Sequence, residues 1–147
     1  MLAPISMLAQ PPFHHVTRDV IAAAIEVHRE LGPGLLESSY STCLQQELTA
    51  RKLAFVTERR IPLAYKGITL DCHYRLDLLV NDAVVVEVKA IAEVLPIHQA
   101  QVLTYLRLAN LPVGLVINFN VDRLVKGVKR VINPGWDAKV AAVRLPP

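Results

Sequence analysis

The sequence predicts an α/β fold in which helices flank a mixed β-sheet. Two segments with helical spacing of apolar residues open the chain, an extended Val-rich region follows, and one more helix precedes the last strands. The predicted order of elements is α-α-β-β-β-β-α-β-β. Consecutive strands with one interposed helix indicate a mixed sheet rather than a doubly wound parallel one.

Local signals set the limits of the two N-terminal helices. Thr17 is the expected N-cap of the first helix, and Asp19 falls in its first turn, where a negative charge suits the helix dipole. The Gly32-Pro33-Gly34 motif ends this helix. The second helix is predicted over residues 36–52, with Glu37 in its first turn.

The middle of the chain is predicted to form four strands. Residues 55–65 have an extended pattern, in which Pro62 indicates an edge strand or a bulge. Residues 68–70 follow a Lys-Gly turn and form a short second strand. The next two strands carry Asp77 and Glu87, and they are joined near Asn81-Asp82.

The remaining elements are one helix and two strands. The helix is predicted from Pro96 to Ala109, because proline is tolerated in the first turn of a helix. Residues 114–119 then form an apolar, buried strand, and residues 124–132 form another.

Length and composition predict a single globular domain. A chain of 147 residues, 52% hydrophobic and 20% charged, provides one core, which we assign to residues 16–133 between a flexible leader (1–15) and a C-terminal tail (134–147). No apolar run is long enough to cross a bilayer, and the N-terminus lacks the basic start of a secretory signal. No membrane partner is therefore expected, and two cysteines without CxxC spacing favour a reduced, cytoplasmic protein.

Charge and histidine content limit the partners. The net charge of +3 permits a nucleic-acid partner without requiring one. The histidines lack the spacing of metal ligands, so a zinc site is not expected.

The most informative segment is the hairpin from Asp77 to Lys89. Side chains alternate along a strand, so Glu87 and Lys89 project to one face and Val88 to the other. Charges on one face of an apolar hairpin are costly to bury. The segment therefore indicates either a site for a divalent metal and a scissile phosphate, or an exposed ion pair between Glu87 and Lys89.

A metal site at Asp77 and Glu87 requires a particular length of the hairpin loop. Asp77 and Glu87 lie on the same face, directly opposite each other, if the loop has an odd number of residues, such as Asn81-Asp82-Ala83. A two-residue loop would place them on opposite faces. Because Asn and Asp tolerate the left-handed conformation of three-residue loops, we predict an odd loop or a compensating bulge.

The residue types suit phosphodiester hydrolysis. Carboxylates such as Asp77 and Glu87 are hard oxygen ligands for Mg²⁺ or Mn²⁺, and the Val88 carbonyl is a candidate further ligand. Lys89 is expected to orient or deprotonate the attacking water, or to stabilise the charge that grows in the transition state. Farther along the chain, Gln101 and Tyr105 are four residues apart and share one helix face.

Four short motifs together resemble a known family. The stretch from Gly34 to Tyr40 matches the GxxExxY signature of small bacterial proteins assigned to the PD-(D/E)XK nuclease-like superfamily. Asp77 and Glu87-Val88-Lys89 match the core pattern of that superfamily, although Leu76 stands where its proline is usual. The Gln101 and Tyr105 spacing is similar to the QxxxY element of RecB-like and Cas4-like branches.

This resemblance implies a restriction-endonuclease-like core with Glu37, Asp77 and Glu87 around a metal ion and Lys89 as the catalytic lysine. Gln101 and Tyr105 would hold substrate or the water network. The implied activity is Mg²⁺-dependent hydrolysis of DNA, and the alternative is a catalytically silent module that binds nucleic acid or a protein partner. Without a separate recognition domain, specificity would be low or would come from a homodimer or a partner protein.

Several of these residues also have simpler structural interpretations. Glu37 suits a helix N-terminus, and Gln101 with Tyr105 fits a polar helix face beside a core aromatic. Arg75 is a candidate phosphate contact, since it lies two residues before Asp77, and the alternative is an ion pair with a carboxylate. His98 either lines the cleft or has a structural role.

Overall fold

The computed structural model describes residues 13–137, except for the side chains of residues 72 and 73. The elements in chain order are α1 (His14–Leu31), α2 (Glu37–Ala50), β1 (Phe55–Tyr65), β2 (Ile68–Val80), β3 (Val84–Lys89), α3 (Pro96–Ala109), β4 (Val113–Asn118), a 3₁₀ turn (Leu124–Gly127) and β5 (Val128–Ile132). The predicted mixed sheet flanked by helices is confirmed.

The described part of the chain forms one five-stranded sheet in the order β1-β2-β3-β4-β5. β3 and β4 are parallel, and the other neighbouring strands are antiparallel. Helix α3 connects the parallel pair, since two parallel strands need a crossover rather than a hairpin.

Apolar side chains on the two faces of the sheet form two clusters. Val84, Val86 and Val88 of β3 pack with α1 and α2, whereas Val85 packs with α3. This alternation is the period of two expected of a strand that is buried on both faces. Glu87 therefore projects toward the α3 side, the same side as Val85.

One predicted strand boundary is wrong. The short strand predicted at 68–70 and the strand that carries Asp77 are parts of the single strand β2, so three strands precede α3 rather than four. β1 pairs with β2 from Phe55↔Val80 to Tyr65↔Ile68, and the register shifts between Ile61 and Leu63. Pro62 lies opposite this shift, in which β1 advances two residues and β2 four, so the predicted irregularity is present and the ladder continues beyond it.

The N-cap predicted for the first helix is also wrong. Helix α1 begins at His14, so Thr17 lies inside the helix and Asp19 beyond its first turn. The Thr17 hydroxyl donates to the His14 carbonyl at 2.9 Å and accepts from Arg130 Nη2 at 3.0 Å. The predicted C-terminus is confirmed, since Gly32 has φ 66° and its N–H donates to the His28 carbonyl.

The other boundaries differ little from the prediction. Helix α3 has the predicted bounds, and α2 is shorter than predicted by one residue at its start and two at its end. The region predicted as one strand at 124–132 divides at Gly127 into a 3₁₀ turn and β5. A Cβ on Gly127 would lie 2.1 Å from the Asn118 carbonyl oxygen, so this close approach of two backbones requires glycine.

The predicted leader and tail lie mostly outside the described residues, namely at 1–12 and 138–147. Trp136, within the predicted tail, packs edge-on against Phe13 with ring centroids 5.9 Å apart. None of the helices in the described part of the chain is long and apolar enough to cross a membrane.

Candidate active site

The β2–β3 loop meets the condition set by the metal hypothesis. The last ladder pair is Val80↔Val84, so Asn81, Asp82 and Ala83 form a three-residue loop. Asn81 and Asp82 have φ values of 51° and 53°, and Ala83 N–H donates to the Val80 carbonyl at 3.1 Å. The predicted odd loop is confirmed.

This register brings Asp77 opposite Glu87. The ladder extends to Leu78↔Val86, and the next residues along the two strands are Asp77 and Glu87. There the Asp77 side chain replaces a ladder carbonyl, since its Oδ2 accepts a hydrogen bond from Val88 N–H at 3.3 Å. The Asp77 carboxylate therefore lies at the edge where the two strands part.

Glu87 is largely buried, and one of its oxygens has no partner. Its side chain is 14% exposed, and Oε1 lies 3.4 Å from Lys89 Nζ. Among the residues that the structure describes, none donates a hydrogen bond to Oε2, which is buried. A buried carboxylate oxygen without a donor is costly, and either a proton shared with Asp77 or a bound cation would remove that cost.

Burial and like charge perturb the ionisation of both carboxyls. Burial, followed by the negative charge of Asp77, raises the pKa of Glu87 from 4.5 to about 7. Burial also raises the pKa of Asp77, although its contacts with Glu87, Val88 N–H and Lys89 oppose the increase. Paired carboxyls with raised pKa values are typical of functional sites, although structural ion pairs also perturb titration.

Glu37 reaches the same site from the start of α2. Its Oε1 accepts a hydrogen bond from Ala90 N–H at 3.2 Å, which ties the helix to the end of β3. Its negative charge also contributes to the raised pKa of Asp77. Glu37 thus lies near the carboxyl pair, and its role as a metal ligand stays a prediction.

A cleft of about 350 Å³ adjoins Glu37, Asp77 and Val88. Its other lining residues are polar or charged: Ser38, Ser41, Thr42, Gln45, Thr57 and Glu58. Within residues 13–137, apart from the side chains of 72 and 73, no three His, Cys, Asp or Glu side chains converge well enough to hold a metal ion. Glu37, Asp77 and Glu87 therefore lie near one another but do not form a three-ligand metal site.

The Asp77 and Glu87 pair still fits a hard divalent cation. Mg²⁺ is usually bound through one or two carboxylates together with water and substrate phosphates, and it does not need an all-protein cage. The two opposed carboxyls and the unpartnered Glu87 Oε2 meet that requirement.

Tyr40 explains how the Gly-Pro-Gly loop positions Glu37. Its hydroxyl donates to the Gly32 carbonyl at 2.6 Å and accepts from Leu35 N–H at 3.1 Å. Its fully buried ring stacks on Phe119, with centroids 4.5 Å apart. Tyr40 thus packs in the core, and its hydroxyl also fixes the loop from which α2 starts.

Tyr105 lies near the carboxyls, whereas Gln101 is exposed one helical turn away. Burial, followed by the negative charge of Glu87, raises the pKa of Tyr105. The ring centroid of Tyr105 is 6.1 Å from that of Tyr74 on β2. A role for Gln101 in binding substrate stays a prediction.

The two candidate substrate contacts differ. Arg75 is exposed on β2, where contact with a phosphate remains a prediction. His98 Nδ1 accepts a hydrogen bond from Leu95 N–H at 2.8 Å, so its ring caps α3. For His98 the structure thus supports the structural role.

Two residues near the site were not predicted from the sequence. Asn118 is buried at the end of β4, where its side-chain amide bonds both the N–H and the carbonyl of Ile91. It thereby fixes the segment that follows Lys89, and a polar residue ending an apolar strand is a signal that points to it. Glu58 lines the cleft with φ 51° within β1, and its sequence context gives no sign of that conformation.

A comparison with protein-family models identified a match for most of the chain. The family model described as the PD-(D/E)XK nuclease superfamily matches residues 14–131. No curated protein and no solved structure matches the chain. The matched region extends from the first residue of α1 into β5, so it includes every residue of the candidate site.

Proposed function

Because the chain belongs to the PD-(D/E)XK nuclease superfamily, we propose that it is a Mg²⁺- or Mn²⁺-dependent nuclease that hydrolyses phosphodiester bonds of DNA. The observation that carries this proposal is the buried, unpartnered Oε2 of Glu87, held opposite Asp77 and beside Lys89. A purely structural ion pair does not require an oxygen without a donor.

The carboxylates of Asp77 and Glu87 and the carbonyl of Val88 would hold the ion. Glu37 is a further candidate ligand, since its charge reaches Asp77 and it lines the same cleft. When bound, the ion would supply Lewis acidity at the phosphate and activate water.

The contact and exposure of Lys89 support its proposed role as the catalytic lysine. Its Nζ is 3.4 Å from Glu87 Oε1, and its side chain is 20% exposed, so it is held in place yet accessible. In this proposal Lys89 orients the attacking water and offsets the negative charge of the transition state. Tyr105 and Gln101, on the neighbouring helix face, contact the substrate or its water network.

The test is cleavage of labelled single- and double-stranded DNA and RNA with Mg²⁺, Mn²⁺ or EDTA. We expect cleavage with either ion and none in EDTA. Asp77→Asn and Lys89→Met should each lower the rate by about 100-fold or more, since each removes a charge at the reacting centre. Glu30→Gln, which changes an exposed residue of α1, should leave it unchanged. Cleavage that survives both active-site substitutions would refute the proposal.

A second candidate function is a catalytically silent nucleic-acid-binding or partner-binding module. The hydrogen bond from Ala90 N–H to Glu37 favours it, because this bond occupies a carboxylate oxygen that would otherwise be free for a metal. Calorimetry with Mg²⁺ and binding assays with the same oligonucleotides separate the two. Binding without cleavage of any substrate would establish the silent module.

A further inference from the structure

Two tyrosines from different elements form an aromatic pair beside the candidate active site. The rings of Tyr74 on β2 and Tyr105 on α3 have centroids 6.1 Å apart and planes inclined at 53°. Tyr74 is 40% exposed, so part of its ring is available to a ligand. The pair therefore presents aromatic surface to solvent.

This pair is close to the carboxyls that would bind the metal. Tyr74 precedes Asp77 by three residues on one strand, a distance of about 10 Å. Glu87 projects to the α3 side of the sheet, where Tyr105 lies. The charges of Glu87 and Asp77 also act on the Tyr105 hydroxyl. A nucleotide that flanks a phosphate at the carboxyls can thus reach the pair.

The chemistry of this surface distinguishes unpaired from paired nucleic acid. Bases stack on tyrosine through their flat faces, and every base offers such a face. In a duplex these faces are covered by neighbouring base pairs, so an enzyme must first extrude a base to reach them. A surface made of aromatic rings beside the reacting phosphate therefore favours a strand with unpaired bases.

We propose that the substrate is a single-stranded or locally unpaired nucleic acid, one base of which stacks on Tyr74 and Tyr105 next to the scissile phosphate. This inference rests on the proposed nuclease function for the location of the phosphate. Tyr74 is a specificity-determining residue in this arrangement, and it belongs to none of the four sequence motifs.

A protein partner is the competing explanation for exposed apolar residues on this hairpin. Tyr65, Ile68 and Leu70, toward the tip of the β1–β2 hairpin, are 56%, 59% and 40% exposed. Exposed apolar surface of this kind marks protein interfaces as well as ligand sites. Tyr74 differs from these residues because its ring contacts α3 at the candidate site.

The experiment measures binding separately from cleavage. The fluorescence anisotropy of a labelled single strand and of a hairpin duplex is recorded in EDTA, where no cleavage is expected. Tyr74→Ala should weaken single-strand binding by about 5- to 150-fold, the equivalent of ~1–3 kcal/mol for one stacked base. Duplex binding should change less than twofold.

Matched variants isolate the aromatic face. Tyr74→Phe keeps the ring and should bind like the wild type. Tyr74→Leu keeps apolar packing without a flat ring and should behave like Tyr74→Ala, which separates lost stacking from lost fold. Tyr65→Ala, at the hairpin tip, should leave single-strand binding unchanged.

Three results would overturn the inference. The first is an equal loss of affinity for single strand and duplex in Tyr74→Ala. The second is single-strand binding by Tyr74→Leu as strong as that of the wild type. The third is a change of oligomeric state, seen by light scattering, that accounts for the lost affinity. The last would assign Tyr74 to a contact between copies of the chain. Because binding is measured without turnover, a catalytically silent protein still tests the inference, and Asp77→Asn tests the nuclease function alone.

Discussion

Replacing Glu87 with glutamine should stabilise the metal-free protein at pH 8 while abolishing the proposed activity. Glutamine keeps the shape of the side chain and removes its charge. A pKa of about 7, compared with the ordinary 4.5, means that ionising Glu87 in the folded protein costs about 3 kcal/mol. This cost already includes the attraction of Lys89, so Glu87→Gln should raise the free energy of unfolding at pH 8 by about 2–3 kcal/mol.

The effect has a defined dependence on pH. The folded state holds the Glu87 proton more tightly than the unfolded state does, so the cost is absent below pH 4.5. It grows between pH 4.5 and 7 and is complete above pH 7. The wild-type protein in EDTA should therefore lose stability from pH 5 to pH 8, and Glu87→Gln should lose much less.

Urea denaturation in EDTA at pH 5 and pH 8, followed by circular dichroism, measures both effects. Glu30→Gln makes the same chemical change at an exposed residue of α1 and should shift stability by less than about 0.5 kcal/mol at either pH. Added Mg²⁺ should stabilise the wild type and not Glu87→Gln. A Glu87→Gln protein no more stable than the wild type at pH 8 would refute the account of Glu87 as a buried, unfavourable charge.

Three further substitutions test the surroundings of this carboxyl. Lys89→Met should raise the pKa of Glu87 above about 7, because the nearby positive charge is lost. In EDTA, the decrease in the free energy of unfolding with pH should then occur at higher pH, and a shift to lower pH would contradict this account. Tyr40→Phe should cost about 1–3 kcal/mol in urea denaturation, because the Gly32 carbonyl and Leu35 N–H lose their buried partner; a neutral result would remove the hydroxyl from loop positioning. Gly127→Ala should cost more than about 2 kcal/mol, since its Cβ would lie 2.1 Å from the Asn118 carbonyl, whereas Gly135→Ala, with its nearest atom at 3.6 Å, is the control.

The sequence predicted those features that local signals determine. Helix α3 has the predicted bounds because Pro96 begins it and the apolar spacing continues to Ala109. The three-residue β2–β3 loop was predictable because the chemistry of Asp77 and Glu87 required a single face, and Asn81 and Asp82 suit the loop. In both places, residue type and spacing suffice.

Features that depend on distant contacts were not predictable in this way. Thr17 is of a residue type common at N-caps, yet it lies inside α1 and accepts a hydrogen bond from Arg130, which is remote in sequence. The length of β2 follows from its pairing with β1 on both sides of the register shift opposite Pro62. Glu37 points to the end of β3 because of its bond to Ala90, and α2 alone carries no signal for that contact.

The arrangement of the site explains why its charges persist in an apolar sheet. Asp77 is held by a backbone N–H where β2 and β3 part, so its carboxylate contributes a ladder-like hydrogen bond that offsets some of its burial. Glu87 accepts no backbone hydrogen bond at Oε2 from the described residues, and its raised pKa reflects the cost of burying its charge. Uncharged side chains of similar shape would fill this position with less penalty, and the proposed function gives the charge a purpose, since a cation would bind when Glu87 is ionised. The same residue should therefore limit the stability of the metal-free protein and supply the affinity of the metal-bound one.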